Sequence, residues 1–187
     1  MSEDIKAREI QKLGSIVPNI QLPLISGETR MLQSFFDGKR GGVVAFWSCV
    51  CSHCERYDSY FNQFREKHPE LGFVAIASRS GETLEEIREA AADRRLTFPI
   101  LHSADASAAA RFFAQQTPRV YLIDPALTLL YRGAIDNFRY SHDPEYQGYL
   151  EHAIRNFLSG SPIERAETAS FGCAIQTIYY EIPKPLA

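Results

Sequence analysis

The chain has 187 residues, 45% hydrophobic and 23% charged, which suits one domain with a substantial core. A net charge of −3 with no basic block excludes electrostatic binding of nucleic acid or of an anionic membrane. No apolar run reaches the ~20 residues of a membrane helix, and four cysteines are too few to staple a scaffold of this length. The start, Met1 to Lys12, is polar and reads as no signal peptide. The default compartment is then cytoplasmic, with an exported protein stripped of its leader as the alternative.

In chain order, Gly14 to Glu28 reads as an extended entry with a turn at Ser26-Gly27, and Leu32 to Phe36 as a helical turn ending at Gly38. Gly41-Gly42 leads into a buried strand, Val43 to Trp47. A helix follows over Glu55–Lys67, with Tyr57, Tyr60, Phe61 and Phe64 on one face; His68-Pro69 and Gly72 end it. Phe73 to Ala77 is a second buried strand. Thr83 and Glu86, three residues apart, form a capping box for a helix from Leu84 to Arg95.

Phe98 to Leu101 is a short strand, and Asp105 caps a helix from Ala106 to Gln116. After Thr117-Pro118 come strands Arg119–Ile123 and Leu127–Arg132, joined by a tight turn at Asp124-Pro125. A last helix runs from Pro144 to Ser159, with Tyr149, His152, Ala153, Asn156 and Phe157 on one face. In the tail, Ala174 to Ile182 looks strand-like. Alternating strands and helices imply parallel pairing, and the tight turn implies an antiparallel pair. The expected fold is α/β, a mixed central sheet flanked by helices.

The chemistry concentrates at Cys51-Ser52-His53-Cys54, where a strand hands over to a helix. Backbone N–H groups and the helix dipole favour a thiolate there. Two intervening residues let the second sulfur reach the first within one turn. This is the chemistry of a reversible dithiol/disulfide pair. Cys51 is expected to be the nucleophile and the more exposed sulfur, with Cys54 as the resolving thiol. A structural pair or half a zinc site is the bland alternative.

These residues resemble the thioredoxin-like superfamily, in particular its redoxin branch, the alkyl hydroperoxide reductase/thiol-specific antioxidant relatives. Phe46-Trp47-Ser48 leading into the cysteine pair, and Thr117-Pro118 opening a strand, carry the resemblance. Gly14 to Asn19, Phe98 to Leu101, Tyr131 to Asp136 and the inserted helix–strand unit between Gly72 and Ser103 support it. The tail from Glu167-Thr168 to Gly172-Cys173-Ala174-Ile175 is similar to a C-terminal feature of some bacterial redoxin-like proteins. The resemblance implies one thioredoxin-like domain over 1–187, with a core at about 12–160 and a C-terminal extension over 161–187. It also implies a cis peptide at Pro118, beside the redox pair, with backbone open for substrate pairing.

Some positions depart from the family pattern. Ser52 stands where many relatives have proline and Val50 where many have tryptophan. Ala45 replaces thioredoxin's buried aspartate. Ser48 and Cys51 fit the last two positions of the peroxiredoxin pattern, but Val44 occupies its proline position.

The remaining candidates tune the site or extend it. A positive His53 lowers the Cys51 pKa, and His53→Pro is then expected to shift the reduction potential in the reducing direction. Trp47, Ser52, Thr117 and Arg119 are substrate-binding or tuning candidates, with a solvated strand residue as the bland reading of Arg119. Cys49 and Cys173 are candidate further thiols, each also readable as a small buried residue.

The expected activity is thiol-disulfide oxidoreductase, with no organic cofactor. Its partners are a disulfide-bearing or dithiol client protein and a recycling reductase or oxidase. Two alternatives stand beside it: a thiol peroxidase with Cys51 peroxidatic and Cys54 or Cys173 resolving, and a copper or zinc protein using Cys49, Cys51, Cys54 and His53.

Overall fold

A computed structural model describes residues 12–175. The polar start before residue 12 and most of the strand expected at Ala174–Ile182 lie outside them.

The centre is a five-stranded sheet. Its strands are β3 (Gly41–Trp47), β4 (Leu71–Ala77), β5 (Ile100–His102), β7 (Arg119–Ile123) and β8 (Leu129–Gly133), in the order β5-β4-β3-β7-β8. β3, β4 and β5 run parallel, while β7 is antiparallel to both β3 and β8. Two small antiparallel ribbons complete the strands: β1 (Gln21–Pro23) with β2 (Thr29–Met31), and β6 (Gln116–Thr117) with β9 (Cys173–Ala174).

Side chains alternate across β3. Val43, Ala45 and Trp47 enter one apolar layer with α1 (Ser52–Asn62), α3 (Leu84–Asp93) and α5 (Tyr149–Ser159). Val44 and Phe46 enter the opposite layer with Phe36 and α4 (Ser107–Phe112). Both faces are covered, so β3 and β4 are apolar throughout rather than alternating. A short helix α2 (Phe64–Lys67) follows α1. Among the described residues no helix is long and apolar enough to cross a membrane.

Several elements differ from the sequence expectation. Gly41, Gly42 and Gly72 are strand residues, not breaks. A Cβ at Gly42 or Gly72 would run into the Phe36 ring, so these glycines let Phe36 seat on the sheet. The helix after the motif begins at Ser52, not Glu55, and turns at Gln63. Its buried face holds Asp58 beside Cys54, Tyr57 and Phe61.

The helix after Asp105 ends at Phe112 because Phe113 takes a left-handed conformation, φ 54°. That releases Gln116 into β6. The last helix begins at Tyr149, because backbone bonding of Asn137 N to Gln147 O (3.0 Å) holds the preceding segment in a loop. Its buried face is Leu150, Ala153 and Ile154, while His152 points to solvent. The capping box is present as expected: Glu86 N donates to Thr83 Oγ1 (3.2 Å) and Thr83 N to Glu86 Oε2 (2.8 Å).

Candidate active site

Cys51 is the N-cap of α1, in extended backbone, and Cys54 sits in the first turn. Cys54 N donates to Cys51 O at 2.9 Å, which closes that turn. The strand end, the helix start and the β6 strand meet here. The Cys51 thiol donates to Thr117 O at 3.2 Å, and the Thr117–Pro118 peptide is cis. Both sulfur-bearing residues are 0% exposed. Neither is open to solvent, and Cys54 is the more deeply enclosed of the two. β9 lies across β6 with Cys173 opposite Thr117, and it closes the space above Cys51.

The two thiols differ in acidity. Cys51 is lowered from 9.0 to about 4. The Cys54 thiol donating to it is the largest cause; burial opposes the shift, and the Cys173 thiol, Thr117 and the Cys173 backbone N–H add to the lowering. Thr117 Oγ1 is buried with no other partner, so its hydroxyl is available to the ionised sulfur. Cys54 moves the other way, well above its ordinary value, through burial first and then through the adjacent Cys51. The arrangement therefore favours proton loss at Cys51 and proton retention at Cys54. Such a pair can attack a disulfide and then close on itself.

The other expected residues divide between the site and its supports. Ser52 is exposed in the first turn. His53 packs its ring against Phe138, centroids 5.2 Å apart, and its Nδ1 is buried without a partner. The backbone N–H of His53 also donates to Cys173, so His53→Pro would remove this bond as well as the imidazole. Trp47 is buried and its Nε1 donates to Asp58 Oδ1 at 2.9 Å. Arg119 turns to the tail, donating to Ser170 Oγ at 3.0 Å.

Cys49 belongs to a different environment. Its thiol donates to Glu82 Oε1 at 3.4 Å, and the Ser48 hydroxyl donates to the same oxygen. Cys49 is pushed up to about 12 by burial and then by the Glu82 charge. The metal set expected from sequence is corrected accordingly. The donors that converge are Cys51, His53 and Cys173, whose ligand atoms lie within 4.8 Å of one another. They form a soft sulfur–nitrogen set of the kind that suits Cu(I) or zinc.

Three supports escaped the sequence. Buried Glu82 accepts from Ser48 and Cys49. Arg94 donates to Cys49 O and pairs with Asp58 at 3.4 Å. Burial raises the Asp58 pKa, against the lowering pull of its Trp47 and Arg94 bonds. The readable signal was Asp58, a carboxylate on the apolar face of a helix. Glu82 sat in a polar turn and gave none.

Residues 13–132, which include the cysteine pair, Thr117 and Pro118, match the AhpC/TSA family. The chain belongs to the AhpC/TSA family. As a member it falls in the redoxin branch of the thioredoxin-like superfamily, and its central sheet flanked by helices is the fold of that group. This AhpC/TSA chain is 31% identical over 91 residues to thiol-disulfide oxidoreductase YkuV of Bacillus subtilis (strain 168), covering 46% of the chain and 62% of YkuV. It thus spans less than two thirds of that curated relative.

Among solved structures, a hypothetical protein from Sinorhizobium meliloti 1021 is 27% identical, with a TM-score of 0.78 over 89% of this chain and 95% of its own. A secreted Mycobacterium tuberculosis disulfide oxidoreductase homologous to E. coli DsbE is 22% identical, with a TM-score of 0.52 over 59% of this chain and 80% of its own. That likeness is one of fold.

Proposed function

We propose that this redoxin is a thiol-disulfide oxidoreductase whose couple is Cys51 and Cys54. The observation that carries the reading is the placement of Cys51 as the N-cap residue of α1, with Cys54 in the first turn and the cis Thr117–Pro118 peptide against its sulfur. The Cys51 thiolate attacks one sulfur of a client disulfide, forming a mixed disulfide and releasing a client thiolate. A second thiol of the chain then attacks Cys51 Sγ and releases the other client sulfur. Cys54, one turn away, leaves the chain with a Cys51–Cys54 bridge. The reverse sequence oxidises a dithiol client.

Thiolate stabilisation favours the reduced chain and so raises the potential of the couple. Clients are disulfide-bearing or dithiol proteins or small thiols, and a separate reductase or oxidase recycles the pair. One thioredoxin-like domain carries the couple, with residues 161–187 as its extension. The peroxidase alternative loses support at Ser48, whose hydroxyl is committed to Glu82 rather than to Cys51.

The test is turnover of a protein disulfide such as insulin, with dithiothreitol as electron donor. The wild-type chain accelerates reduction and Cys51→Ser does not. Retained acceleration in Cys51→Ser would remove Cys51 from the chemistry.

A further inference from the structure

The C-terminal strand places on the site a cysteine that the two-thiol cycle leaves unused. The strand is held at several points. Ile175 N donates to Gln115 O at 3.0 Å, Gln116 Nε2 donates to Ser170 O, and Arg119 donates to Ser170 Oγ. Ile175 is buried in the apolar layer under β3. Gly172 lies so close to the Thr117 carbonyl that a Cβ there would overlap it. The approach therefore requires glycine immediately before Cys173.

This seating brings Cys173 Sγ within 4.8 Å of Cys51 Sγ, opposite Thr117 on the paired strand. Closing that gap to a disulfide length of about 2 Å is a small movement of a two-residue strand. Cys173 is half-buried, whereas Cys54 is buried. Of the two residues whose thiols lie beside Cys51, Cys173 is the one with exposed surface.

We infer that Cys173 is a third redox thiol, which resolves the mixed disulfide on Cys51 and then hands the bridge to Cys54. The inference rests on the oxidoreductase reading. The oxidant is the client disulfide. Attack by the Cys51 thiolate forms the Cys51–client bond, breaks the client bond and expels one client thiolate. Cys173, its proton lost to solvent, attacks Cys51 Sγ; the Cys51–Cys173 bond forms and the second client thiolate leaves.

The client has now gained two electrons and the chain has lost two. Cys54 then attacks Cys51 Sγ; the Cys51–Cys54 bond forms, the Cys51–Cys173 bond breaks, and the Cys54 proton passes to the departing Cys173 sulfur, so the bridge moves with no net electron change. Because β9 covers Cys51, a client reaches that sulfur when the strand lifts from Thr117, and the returning strand carries Cys173 onto the mixed disulfide.

The test uses the full chain in three forms: wild type, Cys54→Ser, and Cys54→Ala in case serine at that buried position disturbs folding. Each is reduced, desalted, treated with oxidised glutathione, quenched in acid and alkylated. Peptides are then mapped by mass spectrometry without reduction. Wild type is expected to end with Cys51 joined to Cys54. Either Cys54 variant is expected to remain monomeric and yield the Cys51 peptide joined to the Cys173 peptide. A Cys54 variant that stays glutathionylated at Cys51, with Cys173 fully alkylated, would overturn the inference while leaving the two-thiol reading intact. Wild type that forms no internal disulfide would overturn both.

Discussion

Cys49 and Cys51 are two residues apart, both all but buried at 5% and 0% exposure, and opposite in acidity. One is pushed up to about 12 and the other down to about 4. Burial raises both and cannot separate them. What separates them is the partner each sulfur meets. Cys49 faces the Glu82 carboxylate, which can only accept, so the proton is retained. Cys51 meets one acceptor, the Thr117 carbonyl, but also the Cys54 and Cys173 thiols and the Thr117 hydroxyl, which can donate to a sulfur anion. The two sides of one loop thus favour proton retention at one sulfur and proton loss at the other.

Removing each sulfur is the strongest way to break this contrast. Cys51→Ser is expected to reduce disulfide turnover to the uncatalysed rate, while Cys49→Ser stays near wild type, measured by initial rates under identical reductant. Equal losses would mean that the loop acts as one unit.

The pH dependence of stability comes next. Cys51 titrates near 4 in the folded chain against 9.0 for an unperturbed cysteine. Its contribution to the reduced chain is therefore full above pH 9, shrinks as pH falls through the window, and is gone below about pH 4. The Cys51–Cys54 oxidised chain lacks this group. Urea unfolding at several pH values is expected to show reduced stability rising relative to oxidised stability from about pH 5 to about pH 8. A pH-independent difference would contradict a thiolate at Cys51.

Glu82 sharpens the other side. Glu82→Gln removes the charge beside Cys49, and the Cys49 thiol is expected to ionise at lower pH, read by site-resolved alkylation. Glu82→Ala also strips the acceptor from Ser48 and Cys49, and about 2 kcal/mol of stability is expected to go with it. The smallest change is Thr117→Val, which keeps the shape and removes one donor. The Cys51 proton affinity is expected to rise about tenfold, worth ~1.4 kcal/mol, by thiolate absorbance titration.

Local patterns explain what the sequence revealed. Val43–Trp47 is apolar throughout because both faces of β3 are covered, and Thr83 with Glu86 closes a cap within four residues. Cys51 and Cys54 stand out because strand, motif and helix are contiguous. The covering of Cys51 was hidden, because it depends on β6 meeting β9 from the far end of the described chain. Glu82 was hidden for the same reason: it reaches Ser48 from the loop that follows β4 to the loop that follows β3. Cys173 carried a motif, Gly172-Cys173, but its meaning appears only where Gly172 meets Thr117.

The most direct test of the central claim is a redox titration of metal-free protein in glutathione buffers, read by mass after alkylation with Trp47 fluorescence in parallel. The account predicts one two-electron transition, absent in Cys51→Ser, with its midpoint above the ~−270 mV of thioredoxin. No transition, or one that survives in Cys51→Ser, would contradict it.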